Sequence, residues 1–400
     1  GVWEGYSDYI DKIELADLNG DGWLDLVIEA DPLSLLLSDG VGGWVDTPGP
    51  IARAEALTLG DMDGDGEQDL IVQGNAGGQI EIHLGQGDGS FVFNSSQFIG
   101  MSVAELATAD VNGDSDVDVV VAGSFVDDLG VMLGDGTGEL AEDYTASDIG
   151  FASAIALAEV TGDAHVDAVL VYRMSDAVRV FAGDGAGGFS LYFEDTAVSR
   201  PEDVVVLDID DDNAREVVLA GGLSSAELVI LRQDAASSFT VEHTPTDYSP
   251  RALAVIEASG DGIDDLAVLH SDDAVQLWRS LASGTLAHHR DYVHGAYSPH
   301  AAAAGDLDGD GRDDLVVADD YGDPARATLL FGASGGAFHA ALVHAPGVTL
   351  RSPALADLDG DGLLDLLASH ADDALRVHLN QGGDSFAASA PIDLASPVYE

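Results

Sequence analysis

The sequence contains no cysteine, which excludes disulfide bonds, thiolate metal sites and cysteine nucleophiles. Basic residues are scarce: 14 stand against 73 acidic residues, the formal net charge is −59, and Lys12 is the only lysine. Such a chain repels nucleic acids and anionic membranes, so neither is an expected partner. Cations, basic proteins and neutral polar molecules such as sugars are the partners that the charge favours.

Long hydrophobic runs are also missing. No apolar segment approaches the roughly 20 residues that cross a bilayer, so we expect no membrane insertion. The first ten residues, GVWEGYSDYI, have neither a basic start nor an apolar stretch, so we expect no signal peptide in this sequence. The hydrophobic content of 46% nevertheless predicts a packed core in place of global disorder.

One acidic segment recurs along the whole chain, at intervals of about 49 residues. Its eight copies begin at Asp17, Asp61, Asp110, Glu159, Asp208, Glu257, Asp306 and Asp357. They account for nearly all 400 residues and leave no room for a separate domain. We therefore predict a single domain, residues 1–400, built from eight repeats.

Each repeat reads as four short β-strands. The acidic segment runs into an apolar, β-branched stretch such as Asp69–Val72, and a second apolar run ends in a Gly-rich turn such as 183–189. A helical alternative is suggested by Ala301–Ala304, but the apolar runs are too short for helices. The predicted fold is all-β: an eight-bladed β-propeller of four-stranded antiparallel blades. We expect the N-terminal strand, Ile10–Leu15, to complete the last blade and close the ring.

The acidic segment has the composition of a calcium loop. Positions 1, 3, 5 and 9 carry oxygen side chains, position 7 offers a backbone carbonyl, and position 6 is glycine in five copies. Hard oxygen ligands favour calcium over zinc. An EF-hand is excluded because it needs a glutamate at position 12 and flanking helices. An ordinary solvated turn is the alternative, but two carboxylates about 5 Å apart repel by roughly 3 kcal/mol at an effective dielectric of 20, which disfavours gathering four without a cation.

The copies differ in quality. Five are complete, the Asp208 copy has Asn213 in place of glycine, and the copies led by Glu159 and Glu257 carry Thr161 and Ser259 at position 3, so these two should bind weakly or not at all. We expect five or more Ca²⁺ ions, up to eight. The predicted metal ligands are Asp17, Asn19, Asp21, Trp23, Asp25, Asp61, Asp63, Asp65, Glu67, Asp69, Asp110, Asn112, Asp114, Asp116, Asp118, Asp208, Asp210, Asp212, Ala214, Glu216, Asp306, Asp308, Asp310, Arg312, Asp314, Asp357, Asp359, Asp361, Leu363 and Asp365.

The loops of form DxDxDGxxD and the turns of form GDGxGGF resemble the FG-GAP or VCBS-type repeats of integrin α-subunit propellers and many secreted bacterial proteins. The resemblance covers essentially the whole chain. It implies that the loop carboxylates bind calcium and that the propeller serves in adhesion, recognition or scaffolding. The sequence departs from the family in its Glu-led loops, in the lost glycine turn at 232–238, and in its eight repeats, since integrin propellers have seven blades.

No catalytic motif is present: the sequence has no Gly-x-Ser-x-Gly, no His-Glu-x-x-His and no P-loop, and carboxylate pairs are too common to be informative. Histidines cluster late in the chain but are expected to be chance loop residues; they are His288, His289, His294, His300, His339 and His344. His270 and His370 occupy equivalent places, which indicates a shared turn geometry. Candidate aromatic platforms for sugars are Trp3, Trp23, Trp44, Tyr6, Tyr9, Tyr248, Tyr292 and Tyr297. Trp44 and Trp278 are expected to pack within the blades, and the Trp23 ring to point outward.

These patterns favour an extracellular or cell-surface, calcium-stabilised propeller over an enzyme. We expect it to act as a recognition or adhesion module for a glycan or protein ligand. Two alternatives stay open. One is a polysaccharide lyase or hydrolase on a propeller scaffold, and the other is a structural part of a larger surface assembly. Binding to glycans distinguishes the recognition module from the structural part. Product analysis on acidic polysaccharides tests the enzyme hypothesis.

Overall fold

The computed structural model describes residues 12–29, 33–52, 54–74, 78–99, 103–123, 129–146, 152–221, 226–234, 238–271, 274–281, 283–293, 299–319, 327–334, 336–339, 342–344, 350–370, 375–382 and 386–387. Within these ranges all regular structure is β, arranged in consecutive antiparallel sheets. No helix long and apolar enough to cross a membrane occurs among them.

The first four sheets follow the chain in order. Their strands are β1 (Ile13–Ala16), β2 (Asp25–Ile28), β3 (Ser34–Ser38), β4 (Trp44–Pro48), β5 (Ala54–Gly60), β6 (Asp69–Gly74), β7 (Gln79–Gly85), β8 (Phe91–Phe98), β9 (Val103–Ala109), β10 (Asp118–Gly123), β11 (Leu129–Gly134), β12 (Leu140–Ala146), β13 (Ala154–Ala158), β14 (Asp167–Tyr172), β15 (Ala177–Gly183) and β16 (Phe189–Asp195). Each group of four consecutive strands forms one blade, with neighbours in sequence paired in space.

The second half repeats the plan. Its strands are β17 (Asp203–Leu207), β18 (Glu216–Ala220), β19 (Glu227–Asp234), β20 (Ser238–Pro245), β21 (Pro250–Ile256), β22 (Asp265–His270), β23 (Ala274–Leu281), β24 (Thr285–Val293), β25 (Pro299–Gly305), β26 (Asp314–Asp319), β27 (Ala327–Leu330), β28 (Gly332–Ala333), β29 (Ala337–Phe338), β30 (Leu342–His344), β31 (Leu350–Ala356), β32 (Asp365–His370) and β33 (Leu375–His378). The seventh blade is β25-β26-β27-β30, with β28 and β29 as a small hairpin. In the eighth, a bridge between Asn380 and Phe386 follows β31-β32-β33. The predicted architecture of eight antiparallel blades is confirmed.

The core lies between the blades. The second strand of a blade, such as β6 or β10, is buried along its whole length because its two faces pack against two neighbouring blades. This explains why these strands are almost continuously apolar. Eight apolar clusters fill the eight interfaces, one for each pair of neighbouring blades.

The ring closes through side-chain packing. Leu26 and Ile28 of the first blade share one buried cluster with Leu367 and Leu375 of the last. The expected closure by a strand differs from what is observed: β1, the described part of the segment Ile10–Leu15, pairs with β2 in the first blade and does not complete the last one. The reason is local, because β1 and β2 flank one short loop and pair directly across it.

The first strands of the blades converge on the ring axis, where those of neighbouring blades contact one another from the second blade to the eighth. Small side chains suit this crowded position. Ala301–Ala304, which looked helical, therefore belongs to the first strand of the seventh blade. Alanine content here reflects space near the axis rather than helical propensity.

Charged side chains link these axial strands. The Lys12 Nζ donates to the backbone oxygen of Leu57 in the next blade at 3.0 Å. At the same register further round the ring, Glu105 Oε2 accepts from the Ile155 amide at 3.2 Å, and Asp203 Oδ2 accepts from the Leu253 amide at 2.9 Å. Burial raises the pKa of the Asp203 carboxyl, as it does for Glu105.

Candidate metal centre: the acidic loops

Every acidic loop joins the first strand of its blade to the second. Since all blades share this topology, all eight loops lie on one face of the ring. The turn after the third strand of each blade comes to the same face. This common placement produces a wide, strongly acidic surface, which we call the loop face.

The backbone of the loops has one shape in all eight copies. Positions 4 and 6 adopt positive φ, the left-handed region, whichever residue is present. Where glycine is missing at position 6, Ser115, Ala164 and Asn213 take the same conformation, with φ of 78°, 71° and 67°. The need for a sharp turn at position 6 is thus confirmed. A side chain makes this turn less favourable than glycine does.

The first carboxylate of the loop shapes this turn. In the Asp17 loop its Oδ2 accepts from the amide of Gly22, at position 6, at 2.8 Å. The same bond recurs in the Asp306 loop, from Gly311 at 2.8 Å. Comparable bonds hold the loops that begin at Asp61, Asp110, Asp208 and Asp357. The first carboxylate therefore organises the loop and also faces its interior.

The carboxylate at position 9 connects two parts of the blade through hydrogen bonds, a role that the sequence did not reveal. Asp69 is fully buried; its Oδ2 accepts from the Met62 amide at 2.7 Å and its Oδ1 from the Gly85 amide at 2.8 Å. One side chain therefore fastens the loop to the end of the third strand. The same two bonds are made by Asp25, Asp118, Asp167, Asp314 and Asp365.

Burial makes the position-9 carboxylates difficult to ionise. It raises the pKa of Asp314 to about 7 and the pKa of Asp69 and Asp365 to about 6, although the backbone amides act in the opposite direction. Neighbouring loop carboxylates raise the pKa further. A cation in the loop would relieve both effects, because it stabilises the ionised form.

Four loops bring three acidic side chains within 4.8 Å of one another, close enough to share one metal ion. These groups are Asp61, Asp63 and Asp69; Asp208, Asp210 and Asp212; Asp306, Asp308 and Asp314; Asp357, Asp359 and Asp361. All donors are hard carboxylate oxygens, the set that calcium prefers. Among the described residues, Asp61 Oδ1 and Asp210 Oδ1 are buried without a hydrogen-bond partner. The residues present therefore fit a divalent cation.

The loops that begin at Asp17 and Asp110 have one carboxylate fewer at positions 1, 3 and 5 than the four loops described above. Each has an asparagine at position 3, and the side-chain oxygen of that asparagine accepts a hydrogen bond from the backbone amide at position 5. The Asp21 amide donates to Asn19 Oδ1 at 2.9 Å, and the Asp114 amide donates to Asn112 Oδ1 at 2.8 Å. An amide oxygen is a ligand for calcium but adds no charge. Neither loop belongs to the four convergent groups, nor do the Glu-led loops, which were expected to be weak.

Arginines reach into two of the less regular loops. In the fifth blade, Arg232 Nη1 lies 3.3 Å from Oε1 of the position-9 residue Glu216, where other blades present a backbone amide. The positive charge of Arg232 also acts on Asp210. In the sixth blade, Arg279 Nη2 lies 3.5 Å from Asp261 Oδ2. The chain itself thus supplies a cation in this sector of the ring.

The three tryptophans that the structure describes serve packing. Trp44 is half-buried and packs on the cluster between the first and last blades, and Trp278 is buried, as expected. The Trp23 ring does not point outward: it lies against Gly40 of its own blade and Gly360 of the last. Its half-buried position follows from the closure of the ring, which the sequence of one repeat could not show.

The tyrosine and histidine candidates form no common site among the described residues. Tyr292 packs on Phe338 and its hydroxyl accepts from the Phe338 amide at 2.7 Å. Tyr248 is exposed and lies edge-on to His270, which is buried. His288 pairs with Asp291 on β24, His289 lies on the same strand, and His339 is exposed after β29.

The remaining candidates are placed only in part or not at all. His300 and His344 lie in β25 and β30, and His370 ends β32 at the register that His270 has in β22. The two histidines therefore have equivalent strand positions, whereas most of the turns that follow them, for which a shared geometry is expected, lie outside the described residues. Trp3, Tyr6, Tyr9, Tyr297 and His294 lie outside the described residues.

Fold and loops together define a β-propeller with acidic loops repeated on one face. A sequence profile described as an FG-GAP-like repeat matches residues 17–72, 61–121, 258–317 and 306–368, more than half of the chain. The chain belongs to the FG-GAP-like repeat family. The profile leaves out the whole of the fourth and fifth blades, which include the Glu159 and Asp208 loops.

Solved structures share the fold at low identity. The chain is similar to BBS1N, crystallised in complex with ARL6DN, with a TM-score of 0.52, 13% identity, and 86% of this chain and 96% of that chain covered. The chain is also similar to a protein from Lactobacillus plantarum, with a TM-score of 0.51, 19% identity, and 82% of this chain and 92% of that chain covered. A functionally unknown protein from Desulfotomaculum acetoxidans has a TM-score of 0.51 and 12% identity, with 78% of this chain and 95% of that chain covered. No curated protein matches the chain. These likenesses establish the fold alone.

Proposed function

We propose that this chain is an extracellular propeller whose acidic loops bind calcium and which serves as a recognition or adhesion module for a glycan or protein ligand. The observation that carries the metal assignment is the convergence of three carboxylates in each of four loops, together with the buried oxygen of Asp61. Millimolar calcium outside cells is sufficient for weak sites of this kind.

The ions act on the fold and perform no chemistry. A bound ion cancels the repulsion among carboxylates at positions 1, 3 and 5 and adds to the tie that the position-9 carboxylate already makes. Positions 1, 3, 5 and 9 supply side-chain oxygens and position 7 a carbonyl, so each ion would stiffen the junction between two strands. A stiff ring presents fixed surfaces to a ligand, which reduces the entropy lost on binding.

Metal stoichiometry tests the first half of this proposal. Calcium-depleted protein is titrated with calcium, and bound metal is measured after equilibrium dialysis. Four or more ions per chain are expected, with loss of one ion in each of the variants Asp63→Ala and Asp308→Ala. Binding of fewer than two ions, or equal binding of sodium, would contradict the assignment.

Ligand binding tests the second half. The calcium-loaded protein is applied to an array of glycans and to immobilised extracellular matrix proteins, with the calcium-depleted protein as the matched control. Binding that requires calcium supports a recognition module. A protein that binds neither class, but holds its ions, would instead be a structural part of a larger assembly.

A further inference from the structure

Asn380, which lies just after β33 in the eighth blade, joins two acidic loops. The residue is only 2% exposed. Its side-chain nitrogen donates to the Leu307 oxygen at 2.7 Å and to the Leu364 oxygen at 3.0 Å. Leu307 is at position 2 of the loop that begins at Asp306, and Leu364 is at position 8 of the loop that begins at Asp357. One side chain thus spans the boundary between the seventh and eighth blades at the loop face.

Backbone amides extend this connection to a carboxylate in each loop. The Asn380 amide donates to Oδ1 of Asp365, at position 9 of the eighth blade's loop, at 2.7 Å. The Leu307 amide donates to Oδ2 of Asp314, at position 9 of the seventh blade's loop, at 2.7 Å. A continuous path of hydrogen bonds therefore runs from Asp314 through Leu307 and Asn380 to Asp365.

The side chain of Asn380 uses all of its hydrogens in this connection. Both hydrogens of the side-chain nitrogen are donated, and Oδ1 accepts from the Gly382 amide at 3.0 Å. A buried amide whose bonds are all made holds its partners in one arrangement. Leu307 and Leu364 also pack in one apolar cluster. A change in the backbone of one loop is therefore transmitted to the other.

Backbone amides make a similar connection in the first three blades. The Gly89 amide donates to the Leu18 oxygen and the Gly138 amide to the Met62 oxygen, each at 3.0 Å. Leu18 and Met62 hold position 2 of their loops, and each glycine lies in the turn after the third strand of the next blade. Between the seventh and eighth blades the donor is instead a side chain, which a substitution can remove.

We propose that Asn380 is a positioning residue that couples the calcium loops of the seventh and eighth blades, so that an ion in one loop raises the affinity of the other. The inference rests on the proposed function, because it requires both loops to bind calcium. Both belong to the four convergent groups. Ordering of Asp314 and Leu307 in the first loop fixes Asn380, which in turn fixes Asp365 in the second. The second loop then loses less entropy when its own ion binds.

The experiment measures hydrogen exchange by mass spectrometry of peptides from Asp308→Ala, in which the seventh blade's loop lacks one ligand, with and without calcium. Calcium bound in the intact eighth blade's loop should slow exchange of the Leu307 amide by at least about fivefold, the lower end of typical coupling between sites. Asp359→Ala should show the reverse effect, with slower exchange at Leu358, because coupling is reciprocal. The Leu358 amide donates to Asp365 Oδ2 at 2.9 Å and so reports on the eighth blade's loop.

Asn380→Ala, added to either variant, should abolish the effect of calcium on the altered loop and preserve its effect on the intact loop. A merely structural role would change exchange equally with and without calcium. Asn94→Ala is the matched control, because the Asn94 side chain also donates across a blade boundary, to the Gly138 oxygen at 2.9 Å, between the second and third blades. It should leave both effects intact.

Two outcomes would overturn the coupling alone. One is a calcium effect on the altered loop that persists in Asn380→Ala, and the other is an altered loop that calcium never protects although its intact neighbour is protected. Absence of calcium protection in both loops of the unmodified chain would instead contradict calcium binding itself. Thermal melts establish that each variant folds. Asn380→Gly is the second variant if Asn380→Ala does not, since Gly85 and Gly134 make the equivalent amide bond in the second and third blades.

Discussion

The indole of Trp23, in the acidic loop of the first blade, lies directly against Gly360 in the acidic loop of the last blade. A β-carbon at Gly360 would occupy the space of the ring. The two residues are 337 positions apart in sequence and meet only because the ring closes. This contact therefore reports on the seam between the first and last blades.

The first prediction concerns that seam. Gly360→Ala should destabilise the protein by roughly 1 kcal/mol for its positive φ and by a further 1–3 kcal/mol for overpacking against Trp23. Gly362→Ala is the matched control, because this glycine also has positive φ and has open space where the β-carbon would be. Chemical denaturation should therefore show that Gly360→Ala is less stable than Gly362→Ala. In a Trp23→Ala background the difference should vanish; its persistence would show that the seam is not closed by this contact.

The second prediction is that calcium stabilises the fold. At ten times the dissociation constant each site contributes about 1.4 kcal/mol, so four independent sites contribute about 6 kcal/mol. Chelation should lower the melting temperature sharply, and Asp63→Ala or Asp359→Ala should each lower it modestly. Thermal melts in calcium, in EDTA and in EDTA with high salt provide the measurement. Coincidence of the three curves would mean that the loops are ordinary acidic turns, since screening alone lacks coordination geometry.

The third prediction concerns Arg232 as an internal cation. Arg232→Met should destabilise the calcium-free protein by about 2 kcal/mol, because Glu216 loses its positive neighbour while it remains buried. Added calcium should recover more stability in this variant than in the unmodified chain, since an ion can replace the guanidinium. Arg290→Met, at an exposed position, should show neither effect. A calcium response equal in all three proteins would mean that Arg232 does not share the loop with a cation.

The fourth prediction follows from the raised pKa of Asp314, about 7 in the folded chain against 3.8 for the free group. Between these values the folded state binds more protons than the unfolded state, so stability falls as the pH rises from about 4 to 7. In EDTA, melting temperatures across this range should show that fall. Asp314→Asn should reduce the slope, and an unchanged slope would assign the effect to the general negative charge. Calcium should also reduce the dependence of the melting temperature on pH, because the ion favours the ionised carboxylate.

The fifth prediction tests the geometry of the loops. Ala164 holds position 6 of the Glu159 loop at a φ of 71°. Replacement by glycine should stabilise the protein by about 1 kcal/mol, because glycine adopts this conformation without steric conflict. Ala158→Gly, at the end of the adjoining strand, is the control and should destabilise it. The free energies of unfolding of both variants follow from their denaturation midpoints, provided that the dependence of the unfolding free energy on denaturant is unchanged. A loss of stability in Ala164→Gly would contradict the shared loop shape.

Features confined to one repeat could be predicted from the sequence. The eight blades, the strand that follows each acidic loop and the turn at position 6 all depend on neighbours within a few residues, and periodicity reveals them. The position-9 carboxylate could be predicted only in part. Asp69 was identified as important, but its bond to the Gly85 amide crosses the blade and has no sequence signature.

Features that join blades could not be predicted in the same way. The contact of Trp23 with Gly360 depends on how separate repeats pack. Arg232 shows a further difficulty, this time within one blade. Read alone, it only marks a lost glycine turn, whereas in space its charge faces Glu216.

The axial position of Lys12 makes chemical labelling informative. Its amine is the only side-chain amine of the chain, and it is held between the Leu57 oxygen and Glu14, each at 3.0 Å. An amine-directed reagent would therefore modify side chains at a single point, where the first blade meets the second. The rate of that reaction would report on how firmly this junction holds the amine, without any engineered probe.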